Sequence, residues 1–75
     1  MQFNDFIEGC QILNKYYNGN VYPMSPSRDE IYFEPTKIPV EKSDFLRLIE
    51  LGWIQEDVEE DSTEYIPNSY WIAYT

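Results

Sequence analysis

The sequence predicts an α+β domain of order α-β-β-α-β-β, with a four-stranded, mostly antiparallel sheet and two helices packed on one face. Three observations lead there. Apolar residues recur at helical spacing in two stretches, 3–17 and 40–51. Short runs rich in aromatic and β-branched residues, bounded by Pro, Gly, Asn and Ser, follow each stretch. Four Phe, seven Tyr and two Trp supply bulky core material for a chain of 75 residues; each such side chain can bury ~150–250 Å². Both helices on a single sheet face would cover every apolar stripe.

The first element is "FNDFIEGCQILNKYYNGN". Phe3, Phe6, Ile7, Cys10, Leu13 and Tyr17 form its stripe, which Ile12 and Tyr16 widen. Asn4 is the expected N-cap, with Asp5 and Glu8 in the first turn, where acids suit the helix dipole. Asn18-Gly19 is the expected stop. A glycine at position 9 costs the helix about 1 kcal/mol relative to alanine, which points to close packing against another element.

Two strands should follow, Val21-Tyr22 and Ile31-Tyr32-Phe33, joined by turn chemistry in "PMSPSRD". Pro23 cannot donate to a ladder and marks the first as an edge strand, and Pro35 ends the second. Phe45, Leu48 and Ile49 should line the inner face of the second helix, with Leu46 or Leu51 at its margin. Val40 should staple its start and Gly52 should terminate it. "GWIQE" leaves as a strand, with Trp53 and Gln55 on one face and Ile54 and Glu56 on the other. A long loop, 57–69, ends at Pro67-Asn68-Ser69, and "YWIAY" is the last strand. The open sheet face would then present Tyr22, Tyr32, Tyr70, Tyr74 or Trp71, depending on register.

Residues 1–75 are the length of one domain. Its halves echo each other weakly: "NDF" and "SDF" each open a helix 39 residues apart, and the same offset lays Ile31-Tyr32-Phe33 on Tyr70-Trp71-Ile72. The pattern suggests a duplication of 3–34 as 42–74.

Charge and composition narrow the function. Fourteen acids against five bases give a net charge of −9. Such a surface repels phosphate backbones and anionic membranes and attracts basic proteins, so neither direct nucleic-acid binding nor membrane association is expected. Cys10 is the lone cysteine, placed as a small core hydrophobe suited to a reducing compartment. The N-terminus has no signal-peptide pattern and no run reaches the ~18 apolar residues of a membrane span; the expectation is a soluble cytoplasmic protein.

Catalytic and cofactor signatures are missing. The chain has no His, so Ser-His and Cys-His pairs cannot form, and its three glycines stand apart at 9, 19 and 52. A calcium-loop pattern starting at Asp57 matches at Glu59 and Asp61 but has Ser62 where glycine is required and Asn68 where glutamate closes the site. No enzyme activity, cofactor or metal is expected.

The strongest functional lead is "EDVEEDSTE", residues 56–64, with six carboxylates and no base. Extended, it spans ~30 Å, one charge per ~5 Å, against ~3.4 Å along a single DNA strand. It could therefore occupy a basic groove in place of nucleic acid. Charge supplies rate and salt sensitivity, whereas affinity needs aromatic anchors, for which Tyr65, Trp71 and Tyr70 lie nearest. The plainer role of such a run is a solvated loop that keeps an aromatic-rich protein soluble.

"FIEGCQILNKYY", "DEIYF", "SDFLRLIELGW" and "YWIAY" together resemble small proteins carried by bacteriophages and prophages. Their loose pattern is an F-I-x-G-x-x-I-L-x-K-Y helix, a D-x-I-Y/W-F strand, a D-x-x-x-L-x-x-L-G-W helix end and a terminal aromatic strand. Phe6 to Tyr16, Asp29 to Phe33, Asp44 to Trp53 and Tyr70 to Tyr74 match it here. The last hairpin tends to be tight in such proteins, and the loop here is longer. The resemblance implies an accessory inhibitor of host defence, such as an anti-CRISPR protein.

Two readings follow. The leading one is a non-enzymatic phage-type inhibitor that binds a basic, nucleic-acid-handling host protein through Glu56, Asp57, Glu59, Glu60, Asp61, Glu64, Tyr65 and Trp71. The alternative is a small structural or adaptor module that associates through its aromatic sheet face, for instance as a homodimer, with the acids only solubilising it.

Overall fold

Both apolar stripes fold as helices, and the runs between them pair as a sheet. A computed structural model describes residues 1–17, 24–58 and 64–74. In chain order the elements are α1 (Phe3–Asn14), β1 (Met24–Pro26), β2 (Glu30–Phe33), α2 (Lys42–Leu51), β3 (Ile54–Gln55) and β4 (Trp71–Tyr74). The order is the α-β-β-α-β-β expected from the sequence.

Helix α1 starts ahead of the expected cap. Gln2 precedes it in extended conformation and Asn4 lies inside it. It also stops at Asn14, where Lys15 and Tyr16 donate back to the Ile12 and Leu13 carbonyls; the predicted stop, Asn18-Gly19, lies outside the described residues. Gly9, Leu13 and Tyr16 are buried, and Phe6, Cys10, Ile12 and Tyr17 are half-buried. Phe3 and Ile7, expected in the stripe, are exposed instead, Phe3 by 74%. They stand roughly 120° and 160° around the helix from Gly9.

Helix α2 buries Phe45, Leu48 and Leu51. Ile49, expected inside, is exposed, and Leu51 takes its place. The reason is the position of α1. Arg47 reaches Glu8 on α1 (2.5 Å), and Ile49 stands on the opposite flank of Leu48, about 100° away. Gly52, at φ +100°, ends the helix; its N–H bonds to the Ile49 carbonyl and the Trp53 N–H to the Leu48 carbonyl. This is the Schellman arrangement. Val40 is buried with Phe45 in the same core cluster, just before the extended Glu41, as a staple requires.

The sheet order is β1-β2-β4-β3, antiparallel throughout. The first strand is a correction: Met24-Ser25-Pro26, read as turn, pairs with β2, and the turn shrinks to 27–29, closed by Ser27 N–H on the Glu30 carbonyl. Pro26 is tolerated because β1 is an edge. The Val21-Tyr22 strand, with Pro23, lies outside the described residues.

Register decides the faces. Phe33, Trp71 and Gln55 form one cross-strand row, and Tyr32, Ile72 and Ile54 form the next, on the opposite side. Phe6 of α1 meets Phe33 edge-on at 6.3 Å, and Phe45 of α2 meets Trp71 at 5.8 Å. Both helices therefore cover the same face. Between them, Lys15 pairs with Asp44 (2.7 Å) and Arg47 with Glu8, so the helices run antiparallel.

The topology is unchanged when the two αββ halves are exchanged. An offset of 39 carries Phe6 to Phe45, but it also carries inward Phe33 to outward Ile72. The strand faces match at 38, where Phe33 falls on its own partner Trp71, so the echo read at Tyr70-Trp71-Ile72 is one residue out of register.

Gly9 closes the assembly. A Cβ there would lie 2.1 Å from Nε1 of Trp53. That indole also donates to the Asp5 carbonyl (3.3 Å) and stacks on Phe6 at 5.6 Å. Gly9→Ala should therefore destabilise by about 1–3 kcal/mol despite alanine's better helix propensity. Trp53→Phe in the same chain should recover part of the loss in a double-mutant cycle followed by urea unfolding; strict additivity would rule the contact out.

The helix seam carries a pH dependence. The Lys15 ammonium, and then the Tyr16 hydroxyl, which donates to the Asp44 carboxylate at 2.5 Å, hold that carboxyl below its ordinary value of 3.8. A depressed folded-state pKa gives stability that is full above the unfolded value and lost as pH falls through the folded one. Asp44→Asn should flatten the fall in urea midpoint between about pH 4 and pH 2. An unaltered fall would show that this carboxylate carries none of it.

Candidate functional site

The acidic run begins where the sheet ends, and its base is built from the alternation of β3. Trp53 and Gln55 point inward and are buried, while Ile54 is half-buried on the other side. Gln55 has a polar side chain in the core, and its amide is satisfied on both sides. Nε2 donates to the Ile66 carbonyl and the Ile66 N–H donates to Oε1, each at 2.8 Å. The side chain thus acts as one rung of a ladder and clamps the returning limb of the loop.

Three further bonds complete this neck. Glu56 N–H donates to the Tyr70 carbonyl (2.8 Å), Asp57 N–H to the buried Ser69 hydroxyl (3.2 Å), and Val58 N–H to the Gln55 carbonyl (3.1 Å). Asn68, at φ +60°, turns the chain just before Ser69, a conformation asparagine tolerates better than most residues.

Of the eight predicted contact residues, Glu56 and Asp57 are exposed on the outgoing limb and Glu64 on the returning one. Glu59, Glu60 and Asp61 lie outside the described residues. Glu64 borders a cavity of about 310 Å³ with Val40, Lys42, Phe45 and Tyr65.

Of the three predicted aromatic anchors, Trp71 is turned into the core, Tyr65 is half-buried and Tyr70 is exposed. Trp71 has no exposed surface; it faces inward, edge-on to Phe45. Register places it there, because its partner Phe33 belongs to the covered face. Tyr65 is half-buried and ties the loop to the core. Its ring meets Phe45 at 6.5 Å, and its hydroxyl lies 2.9 Å from Thr36 Oγ1. Thr36 spends its own proton on the Ile38 carbonyl (2.8 Å), so Tyr65 is the donor.

Exposed aromatics sit on the other side of the sheet. Glu30 pairs opposite Tyr74, Tyr32 lies in a row with Ile72 and Ile54, and Glu56 bonds through its backbone to Tyr70. Tyr70 and Tyr74 are 39% and 42% exposed. Tyr32 donates to Glu30 at 2.5 Å. The hydrogen bond to that carboxylate first, and burial second, push the Tyr32 phenol up to about 12. This face was legible as a set of alternatives in the alternation of "EIYF" and "YWIAY"; choosing among them required the register.

The remaining reactive group, Cys10, is half-buried beside Phe33 and Tyr17, and burial raises its thiol pKa. Among the described residues no group of three or more acids or thiols could hold a metal ion, and no helix is long and apolar enough to cross a membrane.

No family model, curated protein or solved structure matches the chain.

The neck makes a specific prediction. Gln55→Leu keeps a side chain of similar size but removes both partners of the part-buried Ile66 N–H and C=O, at about 0.5–1.5 kcal/mol for each bond. Urea unfolding should register the loss, and amide exchange at Ile66 should quicken under native conditions. Unchanged exchange there would show that the loop is closed by something else.

Proposed function

We propose that the protein is a non-enzymatic inhibitor of the phage type, acting by binding a basic, nucleic-acid-handling host protein through its acidic loop. The observation that carries this reading is the neck. Bonds of Gln55, Glu56, Asp57 and Ser69 fix the backbone at the start of the run, beside exposed Tyr70. Fixing residues 56–58 before binding lowers the entropy that this part of the run loses on binding. Residues 56–64 contain six carboxylates and no basic residue, which gives the run the sign a basic groove requires. The resemblance to phage accessory proteins supports a target in the host cytoplasm, and an anti-CRISPR or other anti-defence role fits an acidic mimic of nucleic acid.

A second reading, a homodimer or adaptor joined through the open sheet face, is favoured by the exposure of Tyr70 and Tyr74. It has an electrostatic cost. Two such faces would bring Glu30 and Glu56 of one copy against those of the other, and like charges across an interface oppose association.

The test is a capture from bacterial host lysate at low and high salt, identified by mass spectrometry, followed by affinity measurements on the captured protein. Replacing Glu59, Glu60 and Asp61 together by Ser should abolish binding and leave the urea midpoint unchanged or raised, and binding to the parent chain should fall steeply with salt. Binding that ignores both changes, together with a doubled mass in light scattering, would instead establish the sheet-face dimer.

A further inference from the structure

We infer that the open face of the sheet is an arginine-binding surface, on which Tyr32, Tyr70 and Tyr74, with Glu30 and Glu56, receive an arginine-rich segment of the partner. This rests on the acidic-loop reading, since it names the chemistry that the loop's partner presents next to the loop.

Three rows of outward side chains cross this face. Glu30 and Tyr74 share one, Tyr32, Ile72 and Ile54 the middle one, and Tyr70 lies beside Glu56 in the third. Rows on one face are ~6.6 Å apart and strands ~4.8 Å apart. Glu30 and Glu56 therefore occupy opposite corners, about 16 Å from each other by these spacings. The phenol rings lie between and around them, and Ile72 is nearly covered at the centre.

Each corner pairs a carboxylate with a tyrosine: Glu30 with Tyr74 directly opposite it, and Glu56 with Tyr70. A guanidinium suits such a pair better than any other common group. Its flat fork can meet the carboxylate with two N–H donors while its plane lies on a phenol ring. A lysine ammonium satisfies the charge but has no plane to stack. Phosphate groups are repelled by both carboxylates, and a second copy of the chain brings the same carboxylates with it. The face also continues through Glu56 into the acidic loop, so one basic segment could engage both.

The probes are nona-arginine and nona-lysine, titrated into the full chain and followed by residue-resolved NMR at low and at physiological salt. Nona-arginine should shift Glu30, Tyr32, Glu56, Tyr70 and Tyr74 and bind about five-fold or more tightly than nona-lysine, as expected from cation–π contacts at exposed sites. Tyr70→Ser with Tyr74→Ser, both exposed positions, should erase that preference while weaker, salt-sensitive binding persists. If the preference survives in the double variant, the tyrosine face is not the site. Equal binding of both peptides, with shifts confined to residues 56–64, overturns the arginine surface and leaves the acidic loop standing. No binding of either peptide at low salt overturns both.

Discussion

The fold turns on the contact between a glycine and a tryptophan. Trp53 is the residue that leaves α2 after the Gly52 terminator, and its indole lies against the backbone of Gly9 in α1. Any side chain at position 9 would occupy the same space. The close approach lets the indole donate to the Asp5 carbonyl, stack on Phe6 and meet Phe33 edge-on at 5.1 Å. One residue thereby joins both helices to the sheet. Burying an indole and two phenyl rings together is a large apolar gain for a chain of this size.

Everything about the sheet's two sides follows from that anchor. With Trp53 inward, strand alternation sends Ile54 out, Gln55 in and Glu56 out. Gln55 then lies buried, where its amide must find partners, and it finds both in the backbone of Ile66. A core requirement, that no buried amide be left unpaired, is what ties the acidic loop down. Elsewhere in the same core, the buried Trp71 indole N–H has no acceptor among the described residues.

The distribution of charge has a similar logic. Lys15 and Arg47 are engaged along the helix seam, with Asp44, Glu8 and Glu50. The Arg47 pairs are largely exposed and contribute little to stability, whereas Asp44 is partly buried at its pair with Lys15; both cations stay on the helix side of the sheet. On the open sheet face Glu30 lies with Tyr32 and Tyr74, and Glu56 with Tyr70.

The sequence by itself determined the element order, both helices, the Gly52 terminator, the need for a neighbour at Gly9 and the alternation of residues 53–56. These are local properties, set by backbone conformation and by period, and they can be read within a few residues. It also placed the acidic run, because charge needs no fold to be seen. The tertiary structure decided the rest. Which side of α1 and α2 is buried depends on where the other helix lies, so Phe3, Ile7 and Ile49 stand outside and Leu51 within. Strand β1 exists at Met24–Pro26 because β2 offers it an edge to pair with. Trp71 is core and Tyr70 is surface because β4 pairs with β2 in one register, Phe33 opposite Trp71. A shift of one residue would exchange the two sets of side chains, and no residue within the strand records which register its distant partner will impose.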